Sequence, residues 1–284
     1  MKIAIIGYGF VGKALNNSLL LEKSDIMIID PLYTENQVFD LEIFAPNIIF
    51  ICVPTPMLDD GGQDLSILKK VESEINKLDI DSIIVLKSTV LPDSIEQFSE
   101  SNEKFIYNPE FLRELSANED FIHSKIIIFG GKKEHTNELA NFYDDYTKCI
   151  SKDYQFTDSM TASYVKYTIN SFLALKLTFF NQVYELLECS DSSSSWEDFT
   201  NILKMDNRIG ESHMQVPGED GRKGFGGACL PKDIKAFHKY SLKQNKDLSI
   251  LKKVININNK IRSQYIIETE REKDQNINFF EEEN

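Results

Sequence analysis

The chain has 284 residues, enough for one large domain or two ordinary ones, and its 42% hydrophobic and 27% charged residues are an ordinary globular balance. A net charge of −14 argues against a nucleic-acid partner, because neutralising phosphates takes a surplus of lysine and arginine. No apolar run approaches the ~18–20 residues of a membrane span, and the N-terminus lacks a signal-peptide pattern. The cysteines Cys52, Cys149, Cys189 and Cys229 are scattered without metal-type spacing, so the expectation is a cytoplasmic protein with reduced thiols, no metal and no membrane partner.

Six short runs rich in Ile and Val come first: KIAIIG (2–7), DIMIID (25–30), NIIFICV (47–53), SIIVLKST (82–89), KFIYN (104–108) and KIIIFGG (125–131). Between several of them lie amphipathic segments, such as 65–78 and 134–146. Continuous apolar strands separated by helices predict an α/β fold, a doubly wound parallel sheet of the Rossmann type with helices on both faces. Residues 159–187 contain no Gly or Pro and repeat apolar residues at helical spacing, which predicts one long helix. SDSSSSWEDF then predicts a loop into another helix, with Ser194 and Glu197 spaced as a capping box, although a flexible serine linker fits the same letters. Beyond Pro231 the pattern is helical to about residue 267, and 268–284, with seven acids against two bases, predicts a solvated acidic tail. The expected organisation is a dinucleotide-binding domain at 1–157, a helical domain built on the long central helix at 158–267, and the tail.

The glycine motif GYGFVG places Gly7, Gly9 and Gly12 around Phe10 and Val11, directly after the first strand. In such a motif the first glycine makes the tight turn, the second lets backbone approach a pyrophosphate, and the third packs the helix on the sheet. Asp30 closes the second strand, where an acid accepts ribose hydroxyls and repels a 2′-phosphate, so the cofactor expected is NAD and not NADP. Thr55 in CVPTP and Thr89 in KSTV fall at carboxyl edges of the sheet, where ligands bind, although Pro and Thr also end strands for purely local reasons. In NPEFLRE, Glu110 and Glu114 are four apart and share a face if the segment makes a helical turn; Lys166 and Asn170 are four apart on the long helix. Each pair, taken alone, also reads as a solvated helix face. In GFGGACLPKD, Pro231 suits a first helical turn, which sets Cys229 at the positive end of that helix with Lys232 nearby, both of which favour a thiolate. Gly226 and Gly227 keep the approach open; a buried inert cysteine is the alternative.

GYGFVG, CVPTP, KSTV, NPEFLRE, KYTINSFLALK, DNRIG and GFGGACLPKD, in that order over roughly residues 1–265, resemble the UDP-glucose and GDP-mannose dehydrogenases. Those enzymes oxidise the C6 alcohol of a nucleotide sugar to a carboxylate with two NAD. The resemblance implies Cys229 as nucleophile, Lys166 and Asn170 as the pair that holds the oxyanion, and Asp233, Thr89 and Glu114 as groups that assist with water. It implies NAD contacts at Val11, Asp30, Thr55, Thr89, Glu114 and Lys232. Sugar-nucleotide contacts are implied along the backbone of Glu110, Phe111, Leu112, Arg113 and Glu114 and at Gly226, Lys166, Asn170 and Cys229. Arg208 in DNRIG matches an arginine that reaches the neighbouring subunit's substrate, so a homodimer is implied. An apolar stripe on the long helix, with Phe172, Leu173, Leu175, Phe179, Phe180 and Val183, offers the face for it.

Three features depart from the family: it carries a further α/β domain where the tail is expected here, the loop IGESHMQVPGEDGRKGFGGA is longer than usual, and Glu35 stands where some members have a lysine. Two other functions fit part of the pattern, a dehydrogenase of the 3-hydroxyacid or 6-phosphogluconate type and a non-catalytic NAD-binding subunit. Neither needs Cys229.

Overall fold

The computed structural model describes residues 1–279. Two compact units share the chain: a sheet unit of residues 1–55 and 64–166, and a helical unit of residues 56–63 and 167–284. The expected break at 157/158 falls at the entry to the long helix, whereas the units divide within that helix, between Lys166 and Tyr167.

The sheet unit contains β1 (Ile3–Ile6), α1 (Phe10–Ser18), β2 (Ile26–Ile29), the short α2 (Leu41–Phe44), β3 (Ile48–Ile51), α3 (Ser66–Ile75), β4 (Ile83–Leu86), α4 (Pro92–Ser101), β5 (Phe105–Tyr107), α5 (Ala117–Ile122), β6 (Ile127–Gly131), α6 (Lys133–Tyr146) and β7 (Tyr154–Thr157). The strand order is β2-β1-β3-β4-β5-β6-β7. The sheet is therefore mostly parallel, with two differences from expectation. A seventh strand is present, and β6 runs antiparallel to β5. Strand β7 lies at the sheet edge with its two middle residues exposed, so it lacks the continuous apolar letters that mark the central strands.

The central strands are buried on both faces because alternate residues feed opposite cores. Ala4, Ile6, Ile49, Ile51, Ile84 and Leu86 pack with α3 and α4 through Leu68, Val71, Ile95 and Phe98. Ile3, Ile5, Ile48, Phe50, Ile83 and Val85 pack with α1, α5 and α6 through Leu15, Phe121, Leu139 and Phe142. Parallel strands all present their carboxyl ends on one edge, which is where Gly7, Asp30, Cys52 and Lys87 follow β1, β2, β3 and β4.

The long helix α7 (Ser159–Glu188) runs for 30 residues as expected. In the helical unit it is followed by α8 (Trp196–Leu203), α9 (Leu230–Lys243), α10 (Ser249–Arg262) and α11 (Glu270–Asp274). The cap of α8 is Ser195, whose hydroxyl accepts from Asp198 N at 3.1 Å, one residue later than the Ser194–Glu197 box the sequence suggests. Trp196, the one tryptophan of the chain, packs against Phe180, Tyr184 and Phe199 and donates its indole N–H to Met214 O at 3.1 Å. Ala174 of α7, Phe225, Ile234 of α9 and Leu251, Val254 and Ile255 of α10 form the unit's core.

Residues 268–279 correct the expectation of a solvated tail. Thr269 caps α11 in a capping box, Glu272 is 0% exposed and Ile277 is buried. Residues 280–284, the rest of that expected tail, lie outside the described residues. Among the described residues no helix is long and apolar enough to cross a membrane, and no His/Cys/Asp/Glu cluster could hold a metal.

Candidate functional site

At the head of the sheet unit, Gly7 has φ +91°, and a Cβ there would stand 2.7 Å from the Cys52 carbonyl carbon, so only glycine fits the turn. Gly9 is the N-cap of α1 and has open space where a Cβ would go. Gly12 is buried against the Gly7 carbonyl. The first amides of α1, from Phe10, Val11 and Gly12, have no partner within the helix and sit at its positive end. Asp30 is fixed beside this turn: Oδ2 accepts from Tyr8 N at 2.7 Å and Oδ1 from Leu32 N at 2.9 Å. Open backbone, aligned amides and an adjacent carboxylate suit the pyrophosphate and ribose of a dinucleotide. Three residues the sequence pattern did not single out, Lys13, Tyr8 and Tyr33, border this end. Lys13 donates to Tyr33 Oη at 2.6 Å, and Tyr8 meets the Tyr33 ring edge-on at 5.3 Å. Lys13 lies directly after Gly12 in the motif, which was the available signal.

Two strand ends are tied together where Thr55 Oγ1 donates to Thr89 O at 3.0 Å, both residues being buried. The segment after β5 is not the expected helical turn. Residues 108–113 are irregular and Glu114 begins a single 3-10 turn, Glu114–Ser116. The cause is local competition for amide protons: Glu110 Oε2 accepts from Leu112 N at 2.6 Å, and Asp120 Oδ2 accepts from Arg113 N at 2.8 Å. Glu110 and Glu114 therefore share no helix face; Glu110 is buried and Glu114 partly exposed. Arg113 is exposed and bidentate to Asp120. Lys166, buried on α7, donates to Glu110 O at 2.5 Å and approaches Oε1 at 3.4 Å, with its ammonium 5.3 Å from the Phe111 ring centroid.

The strand ends also hold a buried set that no sequence pattern singled out. Lys87 Nζ donates to Asn108 Oδ1 at 2.9 Å, and Tyr143 Oη donates to the same oxygen at 2.7 Å. Burial pushes Lys87 below the usual lysine range, and it pushes the neighbouring Cys52 thiol up to about 12.

In the helical unit, Cys229 is the N-cap of α9, with Pro231 in its first turn. The thiol residue is half-buried and closes the glycine loop, in which Gly224 and Gly227 take φ of +75° and +78°. One turn on, Asp233 is 1% exposed; its Oδ1 accepts from Lys232 at 2.6 Å and its Oδ2 from Asn170 at 2.6 Å. The cation expected to sit with the thiol is thus bonded to Asp233. Asn170 and Lys166, one turn apart on α7, are both buried, which excludes the solvated-face alternative. Arg208 is exposed and paired to Asp206 at 2.6 Å. The loop just after it is held by the buried Lys176, whose ammonium donates to Ile209 O at 2.9 Å and to Ser212 O. On α7, Phe172 and Phe179 of the expected apolar stripe are exposed, as is Leu186 seven residues further on, whereas Phe180 is buried against Trp196.

Comparison with known proteins gives a consistent picture. Residues 32–147 match the UDP-glucose/GDP-mannose dehydrogenase family NAD binding domain, and residues 160–260 match that family's central domain. The UDP-glucose 6-dehydrogenase of Rickettsia felis is 35% identical over 233 residues, 78% of this chain and 49% of that protein. The UDP-glucose 6-dehydrogenase of Rickettsia prowazekii is 32% identical over 305 residues, 92% of this chain and 67% of that protein. The chain thus spans from about half to two thirds of the length of these curated relatives. Among solved structures, a UDP-glucose dehydrogenase from Pyrobaculum islandicum matches with a TM-score of 0.74 and 25% identity, over 90% of this chain and 67% of that one. The 3-hydroxyisobutyrate dehydrogenase of Mycobacterium tuberculosis matches with a TM-score of 0.69 over 98% of this chain and 96% of that one, but at 12% identity, a likeness of fold alone.

Proposed function

The chain belongs to the UDP-glucose/GDP-mannose dehydrogenase family, and on that premise we propose that it oxidises the C6 alcohol of a nucleotide sugar, of the UDP-glucose type, to the uronic acid. The observation that carries this is Cys229 at the head of α9, approached through glycines and one turn ahead of the buried Asp233. In this reading residues 1–157 bind the cofactor, and 158–267 supply the nucleophile and the dimer face. When bound, NAD supplies the electron acceptor, taking two electrons from the sugar in each of two rounds. Gly9, Phe10, Val11 and Gly12 would hold its pyrophosphate on main-chain amides, with Gly7 making the turn that presents them while its own amide donates to Ile29 O at 2.9 Å. Asp30 would accept the ribose hydroxyls, and Thr55, Thr89, Glu114 and Lys232 would complete the contacts.

The chain's own residues manage the aldehyde between the two oxidations. Cys229 Sγ adds to the aldehyde carbon, forming a C–S bond, and the charge on the oxygen is met by donors from Lys166 and Asn170. The second oxidation leaves a thioester on Sγ. Water then attacks its carbonyl carbon, with Asp233, Thr89 and Glu114 orienting it and taking its proton; the C–S bond breaks, and the carboxylate and thiolate separate. One water is consumed and four electrons leave the sugar in all. The main chain of Glu110, Phe111, Leu112, Arg113 and Glu114, with Gly226, holds the sugar nucleotide. Arg208 reaches the substrate of a second copy, in a homodimer formed on the face of α7 that exposes Phe172 and Phe179.

Incubation with UDP-glucose should yield two NADH per sugar acid, and Cys229→Ala should lower that oxidation on the order of 10³-fold or more. One NADH per sugar, unaffected by Cys229→Ala, would support the 3-hydroxyacid-type alternative; no NADH with any UDP- or GDP-sugar would support a non-catalytic NAD-binding subunit. Sedimentation should give twice the 32.6 kDa chain mass, and a monomer with full activity would remove the role given to Arg208.

A further inference from the structure

The glycine loop that ends at Cys229 is gripped from two sides within the helical unit. On one side, Asn181 Oδ1 of α7 accepts from Gly224 N at 2.8 Å. Asn258 of α10 accepts from Phe225 N at 2.7 Å and donates back to Phe225 O at 2.9 Å. On the other side stands the segment 269–278. Glu272 Oε1 accepts from Arg262 Nη2 at 2.6 Å and from Gly227 N at 3.4 Å, while Oε2 accepts from Thr269 N at 2.8 Å. Arg262, 2% exposed, also donates through Nη1 to Asp220 Oδ2 at 2.7 Å, at the far end of the same loop. A Cβ on Gly226 would stand 2.6 Å from Arg262 Cζ, so the loop backbone lies directly on this ion pair.

The segment has other anchors. Met57 N donates to Gln275 O at 3.0 Å, Asn276 Nδ2 donates to Met57 O at 3.1 Å, and Lys235 of α9 donates to Asn278 O at 2.7 Å. The carboxylate is suited to a permanent charge. Burial by itself raises the Glu272 pKa, but the Thr269 amide and the Arg262 guanidinium outweigh it and hold the group below the usual carboxylate range.

We propose that segment 269–278 is a clasp on the glycine loop and that Glu272 is a positioning residue for Cys229, acting through Arg262 and the Gly227 amide. This rests on the use of Cys229 as nucleophile, and it extends that function to a part of the chain whose composition suggests only a solvated tail. Without Glu272, the buried Arg262 keeps only Asp220 as a carboxylate partner, Gly227 loses its acceptor, and the loop samples positions that expose the thiol.

The test follows Cys229 itself, in a Cys189→Ser reference chain that removes the exposed thiol. Iodoacetamide labelling of Cys229, read by peptide mass spectrometry, should be about tenfold faster in Glu272→Ala than in the reference. Formate, which can refill the carboxylate-shaped space beside Arg262, should return the rate toward the reference. NAD affinity by fluorescence titration should stay within about twofold, and kcat for the nucleotide sugar should fall about tenfold. Glu272→Gln, which keeps the shape but not the charge, should show faster labelling that formate does not reverse. Labelling at the reference rate in a Glu272→Ala chain that binds NAD normally overturns the proposal. If Glu272→Ala does not fold, reference-rate labelling in Glu272→Gln overturns it equally. A reference chain that oxidises no nucleotide sugar, while its Glu272→Ala variant labels faster at Cys229 and formate slows that labelling, upholds the clasp and removes the proposed function instead.

Discussion

The sheet unit and the helical unit bury charge in opposite ways. Lys87 in the sheet unit is enclosed with neutral acceptors on Asn108, beside a Cys52 thiol whose acidity burial has pushed out of reach. Arg262 in the helical unit is enclosed with two carboxylates, Glu272 and Asp220. A lone buried cation can shed its proton at modest cost, so its pKa falls. In the paired arrangement it is the carboxylate of Glu272 that shifts, held charged beside its partner. The first arrangement tolerates replacement; the second is a lock whose halves cannot be removed singly.

Arg262→Met is the sharpest way to break the contrast. It leaves the buried Glu272 with only the longer contact to Arg222 at 3.8 Å, and the helical unit should lose about 3 kcal/mol of stability in denaturant titration. The loss should shrink on acidification, by a definite sign. A carboxylate depressed in the folded state contributes stability above its ordinary value near 4.5, and the contribution fades as pH falls through the lower folded value. A gap between variant and parent that widens toward pH 3 contradicts the assignment.

Gly7→Ala should have the next largest effect. The sheet unit holds its ligand end by close backbone contact, and an alanine meets both a φ of +91° and the Cys52 carbonyl carbon at 2.7 Å. About 1–3 kcal/mol of stability should go, with NAD affinity falling at least tenfold by fluorescence titration. Lys87→Met should have the smallest effect, within about 1 kcal/mol of the parent at neutral pH. Because the folded pKa of Lys87 lies below its ordinary 10.5, burial of the cation costs stability while it is charged, and that cost disappears as pH climbs toward 10.5. The parent should therefore gain on Lys87→Met at alkaline pH; a parent that loses ground there means Lys87 is a paired charge after all.

The same contrast governs what could be read from the sequence. Strands β1 to β6, the glycine turn and α7 were legible because their signals are local: continuous Ile and Val, glycine spacing, a long stretch without Gly or Pro. Strand β7 was not, since an edge strand needs no continuous apolar run. NPEFLRE misled because spacing alone cannot show that Glu110 and Asp120 capture the amides a helix would need. Position 195 replaced 194 as a cap because four serines in a row offer nearly equal hydroxyls. The error at 268–279 ran deepest. Acidic letters read as solvent-facing until Glu272 is seen to meet Arg262, ten residues back, and Gly227, forty-five residues back. Local patterns predicted where a thiol and a glycine turn stand; pairings across the chain decide what holds them.

The placement of Trp196 gives the molecule a built-in optical reporter. As the one indole of the chain, wedged among Phe180, Tyr184 and Phe199 with its N–H on a main-chain carbonyl, it emits from the helical unit alone. Excitation at long ultraviolet wavelengths thus follows that unit without a label, while far-ultraviolet dichroism follows the whole chain. Any lag between the two signals during melting would measure directly how far the two units unfold as one.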